Sequence, residues 1–166
     1  MVTWINGLSC AGKTTIGKAL YNAWKPIEPA LVFLDGDVLR TAFYQGYGHT
    51  LEARKKLGLM YGNLCKMLAE QGINVILCCI GLQEELRKWN YVNIPDYREI
   101  IVSAPMDILK QRDKKGLYNG DTTDVMGVDI VPEYPASPFV EILNDGSKTA
   151  EEIAISILDR ILMKKG

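Results

Sequence analysis

The stretch GLSCAGKTT (7–15) decides how the rest of the chain is read. It follows a short apolar run, VTWIN (2–6), and opens a helical pattern over 13–24. Gly7, Gly12, Lys13 and Thr14 satisfy G-x-x-x-x-G-K-[ST] in the strand-to-helix setting which that pattern requires. A chance glycine-rich turn would not have to stand between a strand and a helix. The implied chemistry is phosphate binding by the main chain of Gly7, Ser9, Cys10, Ala11, Gly12, Lys13, Thr14 and Thr15. Their amide groups converge on a β-phosphate, and the start of the helix adds partial positive charge. Lys13 reaches the β- and γ-oxygens, and Thr14 is a magnesium ligand. The expected co-substrate is ATP with Mg2+.

Working outward, apolar β-branched runs recur at 31–35, 73–79, 98–104 and 139–144, and helical patterns at 37–44, 52–71, 83–92, 105–113 and 149–163. Thr149 with Glu152 reads as a capping box. Strands alternating with helices predict an α/β P-loop NTPase fold, a five-stranded parallel sheet with helices on both faces. Residues 115–138 break the alternation, with three glycines and three prolines, and are expected to form a lid loop. With 166 residues, 48% of them hydrophobic, a single kinase-type domain over 1–166 is expected, burying roughly 70% of its unfolded surface.

Charge narrows the partners. Nineteen basic and twenty acidic side chains give a net charge of −1, without a basic block suited to a nucleic-acid backbone. No apolar run approaches the roughly 20 residues of a membrane span. The expected setting is cytoplasmic, without nucleic acid or membrane as partner. Cys10, Cys65 and the adjacent Cys78 and Cys79 form neither a zinc spacing nor a C-x-x-C pair, so inert or buried thiols are expected. A homodimer is carried as the expected assembly, although no residue pattern requires it.

The destination of the γ-phosphate turns on LDGDVLR (34–40), at the end of the second strand. Ligands of open parallel sheets collect beyond the carboxyl ends of strands, which brings Asp35 and Asp37 towards the phosphate loop. Two carboxylates one residue apart are expected to point the same way, one near the metal and the other orienting or deprotonating an acceptor hydroxyl. Helix capping is the plainer role for such residues, and Asp37 stands near the expected helix start. Arg40, a helical turn later, can reach an anionic acceptor from the same crevice. A switch GTPase is excluded because Asp124 and Gly127 match D-x-x-G far too late and no N-K-x-D exists. A mechanical ATPase lacks its acidic residue, since ILCC runs into Ile80, Gly81 and Leu82.

GLSCAGKTT, LDGDVLR and QRDKKGLY (111–118) together resemble the three signature segments of the adenylylsulfate kinases, over nearly the whole chain. That family transfers the ATP γ-phosphate to the ribose 3′-hydroxyl of a nucleotide carrying a second acid on its 5′-phosphate. The resemblance implies that Asp37 meets the 3′-hydroxyl, leaving Asp35 to the metal side. It further implies that Arg40 and Arg54 contact the acceptor's phosphates, Lys115 neutralises charge from the acceptor side, Ile80 offers backbone contacts and Arg112 lies over the ATP base. Lys115 and Arg112 also suit an ordinary solvated helix end. The catalytic set is then Lys13, Asp35 and Asp37, with Thr14 and Asp35 on the metal.

Departures from the family pattern fall on the acceptor side. The aromatic pair that grips an adenine acceptor is replaced by His49 and a position near Val125, and Leu57 stands where the family has asparagine. The segment RKWNYVNIPDYREI (87–100) resembles a branch associated with surface-polysaccharide biosynthesis that includes cytidine diphosphoramidate kinase. Trp89 and Tyr91 are candidates for new recognition residues, although aromatics at that spacing more often pack a core. A general kinase of sugars or shikimate-like alcohols, and a nucleotide-binding sensor without catalysis, are the other readings of the same residues.

Overall fold

The computed structural model describes residues 1–43, 48–118, 120 and 122–163. The strands are β1 (Val2–Asn6), β2 (Leu31–Asp35), β3 (Asn74–Cys78), β4 (Tyr97–Ser103) and β5 (Val140–Leu143). The helices are α1 (Lys13–Trp24), α2 (Gly36–Phe43), α3 (Leu51–Glu70), α4 (Glu84–Asn93), α5 (Met106–Arg112) and α6 (Ala150–Met163). Each agrees with the element read from sequence to within one residue at either end, except that position 44, the expected end of α2, lies outside the described residues. The Thr149 capping box forms as expected: the Glu152 amide donates to Thr149 Oγ1 at 3.2 Å, and the Thr149 amide donates to Glu152 Oε2 at 2.8 Å.

All five strands are parallel, in the order β2-β3-β1-β4-β5. Strand alternation sorts β1 between two cores. Val2 and Trp4 join Val75 and Leu77 of β3 on one face, under Leu39 of α2, Leu57, Tyr61 and Cys65 of α3 and Leu86 of α4. Ile5 joins Ile76, Ile100 and Val102 on the other, under Ile16, Leu20 and Trp24 of α1 and Ile153, Ile157 and Ile161 of α6. A sheet apolar on both faces is what continuous β-branched runs produce, and truncating a core residue such as Leu20 to alanine costs about 2–5 kcal/mol.

A third, smaller cluster sits at the carboxyl edge of the sheet. Leu82, Ile101 and Met126 are buried there, with Leu8, Ile80 and Ile130 packed against them. It seats the 115–138 segment on the phosphate loop. That segment has neither helix nor strand among its described residues, as expected of a lid, but it is internally tied. Met126 and Ile130 form an isolated bridge, and the Val125 amide donates to Asp129 Oδ2 at 2.9 Å.

Of the cysteines, Cys65, Cys78 and Cys79 are buried, and burial raises each thiol pKa, to about 12 for Cys65. These are the inert thiols expected. Trp89 packs into the core of α3 and α4, and Tyr91 lies edge-on to Tyr97 with centroids 4.8 Å apart. Neither lines the cleft described below, in keeping with the packing that their spacing favours.

Candidate active site

A cleft of about 750 Å³ opens beyond the carboxyl ends of the strands. Ser9, Cys10, Gly12, Lys13, Thr14 and Thr15 form its donor wall. Asp35, Asp37, Arg40, His49, Arg54, Ile80, Arg112 and Lys115 line the same space. The structure therefore gathers every singled-out residue except Gly7 and Ala11, which are buried beneath the loop.

Backbone geometry explains the loop. Gly7 has φ +149°, and a Cβ there would lie 2.1 Å from the Val102 carbonyl oxygen of β4, so no side chain fits. Gly12 has φ +97° and is the N-cap of α1, without a side-chain capping bond. By contrast, Thr50 caps α3 and Thr149 caps α6. The first amides of α1 are left for a ligand, and an anion is what a helix start attracts. Lys13 Nζ donates to the Leu8 carbonyl at 2.6 Å, folded back over the loop, and burial lowers its pKa. A polyanion beside it would oppose that lowering.

Asp35 and Asp37 share the cleft but do not act as a matched pair. Helix α2 starts at Gly36, directly after β2, so Asp37 already stands on its first turn. Asp35 Oδ2 accepts from Thr14 Oγ1 at 2.6 Å, while its Oδ1 accepts the Asp37 amide at 2.9 Å. Of the two aspartates considered for capping, Asp35 fills that role, and Asp37 stands inside the first turn. Asp37 instead pairs through Oδ2 with Lys115 Nζ at 3.2 Å, both side chains being largely exposed at 82% and 72%.

The oxygens of Thr14 and Asp35, held 2.6 Å apart, suit a hard divalent cation. Among the described residues no group of three His, Cys, Asp or Glu side chains could hold a metal. Magnesium commonly relies on one or two protein oxygens plus substrate phosphates and water, so these residues fit it.

On the acceptor side, Arg54 Nε donates to the His49 carbonyl at 2.8 Å and Nη2 to the Asp124 carbonyl at 2.9 Å. Arg40 Nη1 donates to the Gly48 carbonyl at 3.0 Å. Burial, then Arg40, lowers the Arg54 pKa. His49 is exposed at the mouth, and its pKa is lowered by burial, then by Arg40 and Arg54. Val125 and Leu57 are buried in the wall. Lys13, Arg40, Arg54 and Lys115 against Asp35 and Asp37 leave the space electropositive, as an anionic ligand needs.

The QRDKKGLY segment gains a physical reading. Asp113 accepts the Lys115 amide at 3.1 Å and the Tyr118 amide at 2.8 Å, folding the chain into a turn. Tyr118 then donates its hydroxyl to the Ser9 carbonyl at 3.0 Å, tying the lid to the phosphate loop. Arg112 Nη1 donates to the Asn144 carbonyl at 3.1 Å, and Asn144 Nδ2 donates to the Ala11 carbonyl at 2.8 Å. Tyr118 and Asn144 escaped the sequence reading. Asn144 was findable, since it ends a strand at the edge where ligands collect.

The sequence profile described as adenylylsulphate kinase matches residues 1–143. The chain is 35% identical to the adenylyl-sulfate kinase of Gloeothece citriformis over 154 residues, 90% of this chain and 88% of that one. It is 34% identical to the cytidine diphosphoramidate kinase of Campylobacter jejuni over 166 residues, 98% of this chain and 96% of that one. Among solved structures, the Mycobacterium tuberculosis APS kinase CysC in complex with AMPPNP and APS superposes with a TM-score of 0.87, covering 97% of this chain and 96% of that one, at 23% identity. That last likeness bears on the fold, a P-loop kinase sheet, and the sequence relatives carry the rest. Built on a phosphate loop and matched over nearly its full length, this chain belongs to the adenylylsulphate kinase family, phosphotransferases that act on a hydroxyl acceptor.

Proposed function

We propose that the protein transfers the γ-phosphate of Mg-ATP to the ribose 3′-hydroxyl of a nucleotide whose 5′-phosphate carries a second acid group. The acceptor is cytidine diphosphoramidate or adenylylsulfate, with the cytidine compound favoured, in a cytoplasmic step of surface-polysaccharide biosynthesis. The observation that carries this reading is one cleft with two anion-holding walls and Asp37 between them.

Lys13 and the amides from Ser9 to Thr15 hold the donor phosphates, and Arg112 lies by the donor base. Thr14 and Asp35 would hold Mg2+, which would supply charge neutralisation to the donor phosphates. Asp37 aligns the acceptor hydroxyl and takes its proton as the new P–O bond forms and the bond from the γ-phosphorus to the bridging oxygen breaks, releasing ADP, while Arg40 and Arg54 bind the acceptor's phosphates. Lys115 leaves Asp37 for the equatorial oxygens. An exposed ion pair is worth about 0–1 kcal/mol, so the exchange is easy. Charge stabilisation and alignment supply most of the catalysis in such loose transition states.

Preference for cytidine is supported at the base end. The wall offers an exposed His49 and a buried Val125 in place of an aromatic pair, which favours a small ring over a large one sandwiched between rings. The relative acting on a cytidine nucleotide also aligns over 98% of this chain.

Competition between the two acceptors at fixed Mg-ATP, read by coupled ADP release, tests the proposal. Faster turnover of cytidine diphosphoramidate is expected. Reversed preference assigns adenylylsulfate. Turnover of a sugar or shikimate-like alcohol without need of Lys115 assigns a general metabolite kinase, and no acceptor-dependent ADP defeats the kinase assignment in favour of a sensor.

A further inference from the structure

Asn6, the last residue of β1, is fully buried, and both polar atoms of its carboxamide are hydrogen-bonded. Oδ1 accepts the Gly7 amide at 2.9 Å and the Gly81 amide at 2.9 Å. Nδ2 donates to Glu99 Oε1 at 3.0 Å. Two N–H donors on one side and a carboxylate on the other leave only one orientation for the amide group. Gly7 begins the donor loop, and Gly81 follows Ile80 on the acceptor side. One oxygen atom thus joins the two loops.

The carboxamide is itself held. Glu99 has no exposed surface, and its second oxygen accepts from Arg87 Nε at 2.9 Å. Arg87 also donates through Nη2 to the Glu133 carbonyl at the far end of the lid, while the Glu133 amide donates to the Leu82 carbonyl at 2.9 Å. Burial raises the Glu99 pKa, and Asn6 and Arg87 oppose that rise. A buried network with every named group partnered holds its members in one geometry.

We infer that Asn6 is a positioning residue that sets the separation between the donor loop and the acceptor loop, with Glu99 and Arg87 fixing its orientation and linking it to the lid. Asn6 touches no reacting atom. It acts by keeping the bound phosphate and the incoming hydroxyl within in-line reach, where small displacements cost large factors in rate. The inference rests on the two-walled reading of the cleft given under Proposed function.

Three variants test it with the preferred acceptor. Asn6→Ala is expected to lower kcat about 10- to 100-fold while the Kd for Mg-ADP changes less than about 3-fold. Asn6→Asp keeps an acceptor for both amides but sets a carboxylate against Glu99, and is expected to lose kcat similarly. The double exchange Asn6→Asp with Glu99→Gln restores each hydrogen bond with the carboxylate and amide trading places, and is expected to recover kcat to within about 3-fold of wild type. A merely structural role would not yield that recovery alongside an unchanged Kd. A double variant that fails to fold, or folds without recovering, overturns the inference, as does an Asn6→Ala enzyme of wild-type kcat.

Hydrogen exchange supplies a readout that needs no acceptor. Mg-ADP, which touches the donor wall, is expected to slow exchange of the Gly81 amide about 10-fold in the wild type and less than 2-fold in Asn6→Ala. Equal slowing in both overturns the inference whatever the acceptor proves to be. Absent wild-type turnover with either nucleotide counts against the acceptor reading alone, and the exchange result then decides this one.

Discussion

The two walls of the cleft are built in opposite ways. The donor wall comes from nine consecutive residues and grips through main-chain amides, with Thr14 and Asp35 locked at 2.6 Å. The opposite wall, the acceptor side of the proposed reaction, is assembled from α2, the start of α3, the turn after β3 and the 115–138 segment, and presents side chains such as Arg40, Arg54 and Lys115. Its central pair, Asp37 with Lys115, stands mostly in solvent. A grip made of backbone fixes the chemistry of the donor. A grip made of scattered side chains, as proposed for the acceptor, would leave that substrate freer to change.

The largest effect that would break this contrast is at Asp37. Asp37→Ala is expected to reduce kcat by about two to four decades with ATP affinity largely intact, measured by steady-state turnover and nucleotide titration. An equal fall in ATP affinity would move Asp37 to the donor wall. Next, Arg54→Ala is expected to raise the acceptor KM about 10- to 100-fold and leave the ATP KM unchanged, since a charge-assisted contact is worth about 1.5–3 kcal/mol.

A smaller change probes a strap that crosses between the walls. Tyr118→Phe removes the hydroxyl bonded to the Ser9 carbonyl, and is expected to lower kcat/KM about 5-fold, in line with one neutral hydrogen bond of about 1 kcal/mol. If the loss appears only in the ATP KM, the strap serves the donor loop and not the lid.

The smallest effect is in pH. His49 has a lowered pKa, so the folded protein holds it neutral where the unfolded chain begins to take up a proton. Its contribution is present above the unfolded value of about 6.5 and is lost as pH falls through the folded value. Wild type is therefore expected to lose slightly more Tm than His49→Gln between about pH 6.5 and 5, by paired melts. An anionic acceptor at the mouth would offset the two arginines, raise the His49 pKa and shrink the difference. No shrinkage would place His49 outside the acceptor site.

Legibility followed the same division. The phosphate loop, its helix and all five strands are written in contiguous residues, because glycine spacing and β-branched runs act locally. The capping box at Thr149 was readable for the same reason. What escaped were polar contacts spanning the chain: Asn6 to Glu99 is 93 residues apart, Tyr118 to Ser9 is 109, and Asn144 to Ala11 is 133. In sequence Arg87 and Glu99 resemble any solvated charges, and only the sheet register, which sets Asn6 beside Ile101, brings them inside. Which of the two aspartates caps α2 was hidden by a junction of no length, since β2 passes into α2 without a loop.

The bare N-terminus of α1 has a consequence outside catalysis. A helix that faces the central strand and relies on a visiting polyphosphate to satisfy its first amides is firmer when the visitor is present. Ligand at 100 times its Kd adds about 2.7 kcal/mol to resistance against unfolding. Depleting the nucleotide would remove that increment, so the same chain would melt sooner without it.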